Sequence, residues 1–215
     1  TTDIDSVLLK ISSNYQVPGQ TFRLPSRGRF YKNGELSDEV VDGEVVVYPM
    51  TTLEEMYTRS FDMLFQGTAI EKTISRCVPQ IKEPMKLLNK DVDYLMSCIR
   101  KVSYGEYISY KLTCPETLNA KEIEYEIPIT SFLRKTKEVS DDIENSLNFE
   151  FDGLHVKARF STYADTIKIN QSNYDENNID GMFAFLISHM AETIESIDTL
   201  NTREQIIELL KKAPR

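Results

Sequence analysis

The chain is poor in the residue types on which most catalytic and metal sites depend. Its 215 residues include no tryptophan, two histidines and three cysteines. His155 and His189 have no partner at a spacing typical of a metal site. Neither H-E-x-x-H nor C-x-x-C occurs, and no glycine-rich phosphate loop is present. We therefore expect no catalytic residue, no bound metal and no cofactor.

The cysteines exclude an intramolecular disulfide framework, because Cys77, Cys98 and Cys114 cannot all pair within one chain. We expect reduced thiols that pack in the core, where a free cysteine behaves as a small hydrophobe. Cys114 precedes a proline, as at the start of some zinc knuckles, but Thr117 occupies the place of the second cysteine. One thiolate cannot hold a structural zinc ion.

Long apolar runs are also missing. No stretch approaches the roughly 18 consecutive apolar residues of a membrane span, and the first residues lack the basic and apolar segments of a secretory signal. The composition is 40% hydrophobic and 27% charged. These properties predict a soluble globular chain with a substantial core.

Positive charge is in deficit, with 25 basic against 34 acidic residues and a net charge of -9. Nonspecific nucleic-acid binding depends on basic residues that neutralise phosphates, so this balance argues against it. The basic run Arg23–Lys32 alternates with aromatic residues and has two interpretations. It could grip a single strand by charge and stacking, or its aromatics could enter the core while its arginines meet neighbouring acids. We favour the second interpretation.

Acidic residues dominate two stretches, Glu35–Asp62 and Asp175–Asp198. Adjacent basic and acidic faces suit ordered contacts with other proteins, because complementary potentials fix the register of docking. The alternative for any single run is a solvated surface on which charges cluster by chance.

The first half of the chain predicts an N-terminal arm, a small β-meander and helices. Apolar spacing in residues 1–20 indicates a short amphipathic helix, and turn signals divide the extended stretch 21–48. A helix should begin at Thr51 or Thr52, each followed by a glutamate three residues on. Further helices are expected at 69–77 and 91–104. The helix that begins at Thr51 or Thr52 should end at Gly67 and bury one stripe, formed by Leu53, Met56, Tyr57, Phe61 and Leu64.

The second half predicts antiparallel hairpins and a C-terminal helix pair. Alternating segments at 107–112 and 123–127 should pair, and 148–151 should pair with 154–160 around Asp152–Gly153. Residues 163–169 could add a strand. Helical spacing from 179 to 197 gives an unusually wide apolar face, which suggests burial against more than one neighbour. A last helix should begin at Thr202, with Gln205 completing its capping box.

These elements predict an α+β fold. We divide the chain into an arm (1–20), a β-meander with helices (21–105), an antiparallel β region (106–170) and C-terminal helices (171–215).

The segment from Phe22 to Tyr31 reads F-R-L-P-S-R-G-R-F-Y, and V-V-V-Y-P-M-T-T-L-E-E follows at 45–55. This sequence resembles the T4-type bacteriophage baseplate hub and hub-assembly family, in which an L-P-S-x-G-x-x-Y pattern leads to a strand-to-helix junction. The likeness extends over about residues 22–130, and the C-terminal third carries no recognisable motif. Some relatives carry a second cysteine after Cys-Pro, and its absence here puts a metal role in doubt.

The resemblance implies a non-enzymatic role in building the baseplate hub of a contractile tail, either as a virion subunit or as a transient chaperone. Implied partners are other hub proteins, the tape-measure protein and a second copy of the chain. The implied location is the host cytoplasm during assembly and then the virion tail baseplate. The residues expected to make contacts are those of the motif: Leu24, Pro25, Ser26, Arg27, Gly28 and Tyr31.

The motif also has a physical interpretation of its own. Pro25 and Gly28 punctuate a tight turn, Ser26 can bond to its backbone, and Tyr31 can anchor the returning strand. A rigid turn of this kind suits docking and simple closure of the fold equally well.

Three other functions stay open: a different protein-binding scaffold, an enzyme and a nucleic-acid binder. A deep pocket with two carboxylates of raised pKa would indicate the enzyme. Salt-dependent binding of single-stranded DNA, lost when Arg27 and Arg29 are changed, would indicate the nucleic-acid binder.

Overall fold

The computed structural model describes residues 18–113, 122–171 and 179–212. The predicted N-terminal helix and Cys114–Pro115 lie outside these ranges. The strands are β1 (Gln20–Arg23), β2 (Glu44–Val47), β3 (Tyr107–Thr113), β4 (Glu122–Pro128), β5 (Asn148–Phe151), β6 (Leu154–Ala158) and β7 (Ile194–Ile197). The helices are α1 (Thr52–Arg59), α2 (Phe61–Phe65), α3 (Thr68–Cys77), α4 (Asn89–Tyr104), α5 (Thr130–Lys135), α6 (Ile143–Ser146), α7 (Tyr163–Asn170), α8 (Ile179–Thr193) and α9 (Arg203–Lys212). The predicted α+β class is confirmed.

Strands β1 and β2 form an antiparallel pair in which Gln20 lies opposite Val47 and Arg23 opposite Glu44. The chain enters β2 through Asp42–Gly43, and both residues adopt positive φ, as expected at this Asp-Gly turn. The region predicted as a β-meander thus contains one strand pair, and its remaining backbone forms turns and isolated bridges.

Helix α1 begins with the predicted capping box, with Thr51 as N-cap and Glu54 completing it. The prediction of one helix to Gly67 with a buried stripe is wrong. Ser60 ends α1 and caps α2, with its side chain accepting from the Met63 amide at 3.4 Å. Its extended backbone redirects the chain, and most of the predicted stripe faces solvent. Tyr57 is half-buried, whereas Leu53, Met56, Phe61 and Leu64 are exposed.

Helix α4 carries the centre of the main core. Val92, Leu95 and Ile99 lie on its buried face, as the apolar spacing predicts. Gly105 ends the helix with positive φ. The core around α4 consists of Leu24, Val45, Val47, Ile74, Cys77, Val78, Ile81, Leu87, Val92, Leu95, Cys98 and Ile99.

Two separate antiparallel sheets follow α4. Strands β3 and β4 form a two-stranded ribbon from Tyr107↔Pro128 to Thr113↔Glu122. Strands β5, β6 and β7 form a three-stranded sheet in that spatial order. The β5–β6 turn is Asp152–Gly153 with positive φ at both residues, which confirms the predicted hairpin.

The C-terminal third differs from its prediction at two places. Residues 163–170 form helix α7 rather than a strand, because Thr162 and Asp165 make a complete capping box at its start. Helix α8 ends at Thr193, and residues 194–197 become β7, which pairs with β6.

Helix α9 begins after Thr202 as predicted, with Thr202 and Gln205 exchanging capping bonds of 3.3 and 3.4 Å. A second core joins Ala191, Ile197 and Ile206 from α8, β7 and α9. None of the helices among the described residues combines the length and apolar character that a membrane span requires.

Candidate functional site

The L-P-S-x-G-x-x-Y motif is organised around a buried carboxylate on α4. Asp91 is fully buried. Its Oδ1 accepts from the Ser26 backbone amide at 3.0 Å, and its Oδ2 accepts from the Ser26 and Tyr31 hydroxyls, the latter at 2.6 Å. The Tyr31 oxygen in turn accepts from the Leu88 amide at 3.0 Å. The motif is therefore fastened to the start of α4 by one connected hydrogen-bond network.

Burial sets the protonation behaviour of this network. It raises the pKa of Asp91, against the opposing effect of the hydrogen bonds donated by Ser26 and Tyr31. Burial and the nearby Asp91 carboxylate also raise the pKa of Tyr31, so its hydroxyl stays a donor. A buried polar network is stabilising only when every member is satisfied, and each of these groups has a partner.

The turn itself depends on an unusual backbone. Arg27, Gly28 and Phe30 all have positive φ. The Gly28 amide donates to Ser26 Oγ at 3.2 Å, as predicted for this turn. A Cβ at Gly43 would lie within 2.8 Å of Arg27 and Gly28 backbone atoms, so the motif turn packs directly on the β2 turn.

The arginines of the basic run meet acidic neighbours, as we favoured. Arg23 and Arg27 both pair with Asp42, and Arg27 also reaches Asp141 at 3.3 Å. Arg29 pairs with Glu144 at 2.9 Å. These contacts hold the segment around 138–144 against the motif.

The aromatic residues of the same run are also engaged by the protein. Phe22 and Tyr31 pack on the main core. Phe30 meets Phe160 edge to face, with ring centroids 5.0 Å apart. The bases of a single strand would have to displace these contacts to stack here.

The six predicted contact residues thus come together, but they differ in exposure. Leu24, Pro25 and Ser26 are buried, whereas Arg27, Gly28 and Tyr31 are half-buried. The buried ones serve closure of the fold. Docking of a partner on the motif stays a prediction and depends on the half-buried ones.

Two described carboxylates have a raised pKa, Asp91 and Asp93, and burial is the main cause for both. They lie two residues apart on α4 and so point to different sides of the helix. Asp91 is buried in the motif network, whereas Asp93 is exposed. The described residues therefore do not bring these two groups together as an acid–base pair.

The other chemically capable groups are dispersed. Burial raises the pKa of the Cys77 and Cys98 thiols to about 12, as expected for core cysteines. His155 is exposed on β6, and His189 stacks on Phe185 of α8 with centroids 6.3 Å apart. Within the described ranges, no group of three or more histidine, cysteine, aspartate or glutamate residues is placed to hold a metal ion.

Besides the exposed Phe149, Phe151 and Leu154 of the β5–β6 hairpin, the described surface has three exposed apolar areas. The helical apolar surface lies on α1 and α2 and includes Met56, Phe61 and Phe65, which are 63%, 78% and 51% exposed. The second area is on the β3–β4 ribbon. The third is the α8 stripe of Met182, Phe183, Leu186 and Met190.

Of these three areas, the sequence predicted only the α8 stripe as a contact surface. It assigned the α1–α2 residues to the core, since apolar spacing alone does not reveal on which side of a helix the rest of the chain packs. Exposed apolar areas of this kind mark interaction sites in soluble proteins.

The described residues define an α+β protein with a motif held by a buried carboxylate and with several exposed apolar areas. Residues 33–214 match the family described as T4 bacteriophage base plate protein. The chain belongs to this family, and the resemblance noted in the sequence is confirmed at the family level. The matched range begins after the L-P-S-x-G-x-x-Y motif and includes the C-terminal third, where no motif was recognised. No curated protein and no solved structure matches the chain.

Proposed function

We propose that the chain is a non-enzymatic component or assembly factor of the baseplate hub. It acts by contacts with other hub proteins and with the tape-measure protein. The observation that carries this proposal is the combination of baseplate family membership with exposed apolar areas on α1–α2, on the ribbon and on α8. A baseplate protein with such areas has surfaces suited to burial against its neighbours.

The non-enzymatic part of the proposal is supported by the dispersal of the reactive groups. Asp91 is committed to fastening the motif, and the two described cysteines lie in the core. The other buried acids of the described chain are held by basic partners: Glu54 by Arg76, Asp165 by Arg159 at 2.7 Å, and Glu192 by Lys168 at 2.7 Å. Such pairs satisfy buried charge and fit structural roles.

Sedimentation of a lysate from infected cells tests the proposal. Travel of the chain with baseplates and finished virions, at fixed stoichiometry, would identify a hub subunit. Presence with small intermediates or a single partner, together with absence from virions, would identify an assembly factor that acts in the host cytoplasm. A chain that travels alone at every stage of assembly would contradict the proposal.

A further inference from the structure

The β3–β4 ribbon has one entirely apolar face. Register places Ile108 opposite Ile127, Tyr110 opposite Tyr125, and Leu112 opposite Ile123. Because side chains alternate along a strand, these six residues share one side of the ribbon. Ile108 and Ile127, nearest the body of the protein, are half-buried. The four farther along are exposed by 41% to 58%: Tyr110, Leu112, Ile123 and Tyr125.

This arrangement leaves the ribbon incomplete. A two-stranded sheet in water is marginal on its own and normally gains stability from a third strand or from a covering layer. Cross-strand apolar pairs contribute, but here they stay in contact with water. Among the described residues, β3 and β4 form a sheet of their own, so each strand has an open edge with unpaired backbone groups.

The two edges differ in charge. Strand β4 reads E-I-E-Y-E-I from residue 122 to 127, and Glu124 and Glu126 are exposed on the face opposite the apolar one. Across the ribbon they lie opposite Lys111 and Ser109, respectively. A strand added at the β4 edge would meet both carboxylates and, on the other face, the isoleucine and tyrosine side chains.

We propose that the β4 edge receives an extended segment of another baseplate protein in which apolar residues alternate with lysine or arginine. Such a segment would complete the backbone hydrogen bonds of β4 and pack its apolar side chains beside Ile123, Tyr125 and Ile127. It would also place a positive charge beside Glu124 and Glu126. This inference rests on the proposed function and adds the chemistry of one partner to it.

A second copy of this chain is a poorer occupant. Antiparallel pairing of two β4 strands about Tyr125 would set Glu124 of one copy against Glu126 of the other, and directly opposed like charges are destabilising. Residues 156–160 of this chain read V-K-A-R-F and have the required alternation. They cannot serve as the added strand, because β6 is already paired on both sides, with β5 and β7.

The test uses the full chain and a short acetylated peptide in which valine and lysine alternate, with binding followed by fluorescence anisotropy. Glu124→Lys combined with Glu126→Lys should weaken binding about fivefold or more, since attraction is replaced by repulsion at two positions. Asp38→Lys combined with Glu39→Lys makes the same change of net charge at exposed positions away from the ribbon. This control should bind like the unchanged chain.

Two further peptides separate strand addition from simple charge attraction. A peptide of the same composition with its valines and lysines in blocks should bind weakly. A peptide methylated on alternate backbone nitrogens should lose binding as well, because it cannot donate to the β4 edge. Amide hydrogen exchange should slow in β4 when the alternating peptide is bound.

Equal binding of the block or methylated peptide, equal loss in both charge variants, or no binding at all would overturn the proposal. Concentration-dependent dimers with protected β4 amides in the absence of peptide would overturn it in favour of a second copy. Sedimentation keeps the two proposals apart. A chain that fails to bind the peptide but still travels with baseplates contradicts strand addition alone, whereas a chain that never joins an assembly contradicts the proposed function.

Discussion

At the scale of single residues, Asp91 determines whether the motif is held in place. It accepts three hydrogen bonds within the network, from the Ser26 amide and from two hydroxyls. We expect Asp91→Asn to lower the free energy of unfolding by about 1–3 kcal/mol, because the new amide donor faces groups that were donors to the carboxylate. Chemical denaturation measures the change. Asp93→Asn, on the exposed side of the same helix, should cost less than about 0.5 kcal/mol, and equal losses would contradict the role given to Asp91.

Asp91 should also affect how the stability of the chain depends on pH. Burial raises the pKa of Asp91 in the folded chain above its usual 3.8. Between the unfolded and folded pKa values the folded chain therefore binds more protons, and the contribution of this group to stability falls as the pH rises from about 4. The difference in unfolding free energy between the unchanged chain and Asp91→Asn should shrink over that range. A difference that is constant or grows with pH would contradict the raised pKa.

Gly28 carries a second prediction at this scale. Its φ is +72°, and a Cβ would meet the Gly43 backbone nitrogen at 3.2 Å. We expect Gly28→Val to destabilise the chain by about 2 kcal/mol or more, because the β-branched side chain adds a close contact to backbone strain. Gly153 has a similar φ of +76° with open space around it. Gly153→Val should therefore lower stability less than Gly28→Val in a thermal unfolding experiment. A larger loss for Gly153→Val would contradict the importance of the close contact at Gly28.

At the scale of elements, the sequence correctly predicted those helices and turns that depend on residues close together in the chain. The apolar spacing of α4 and the Asp-Gly turn between β5 and β6 both hold in the structure. The predictions failed where a helix cap or a residue distant in the sequence determines the local structure. Thr162 and Asp165 convert a strand-like stretch into α7. The pairing of β6 with 194–197 ends α8 four residues before the helical spacing does. The partner of Ser26 and Tyr31 lies about sixty residues away, and no local signal points to it.

The start of α1 offers a matched test of capping, since sequence analysis left Thr51 and Thr52 as equal candidates. In the structure Thr51 is the N-cap and its side chain accepts from the Leu53 amide at 3.3 Å. Thr51→Ala should lower stability by about 1 kcal/mol. Thr52→Ala changes an exposed residue within the first turn and should have almost no effect by urea unfolding. A larger loss of stability for Thr52→Ala than for Thr51→Ala would contradict the role of Thr51 as the N-cap.

At the scale of the whole molecule, the distribution of charge and apolar area matters more than any single site. The basic run is neutralised within the chain by Asp42, Asp141 and Glu144, so the net charge of -9 is displayed mainly by the remaining surface. The two cores are built without the helical apolar surface, the tip of the ribbon or the α8 stripe. These areas therefore contribute little to folding, and exposed apolar areas of this kind suit contacts with other baseplate proteins.

The helical apolar surface allows that explanation to be tested directly. Phe61→Ser combined with Phe65→Ser should leave the free energy of unfolding within about 0.5 kcal/mol of its original value, because both rings are exposed. The same change should reduce the fraction of the chain that sediments with baseplates or their intermediates, since aromatic anchors carry much of the energy of an interface.

Val41→Ser is the control, because it removes an exposed apolar side chain outside this surface, and it should leave sedimentation unchanged. Equal association of both variants would exclude the helical apolar surface as a contact and leave the ribbon, the β5–β6 hairpin and the α8 stripe as candidate contact surfaces. Loss of stability in the double variant would instead mean that the two rings support the fold.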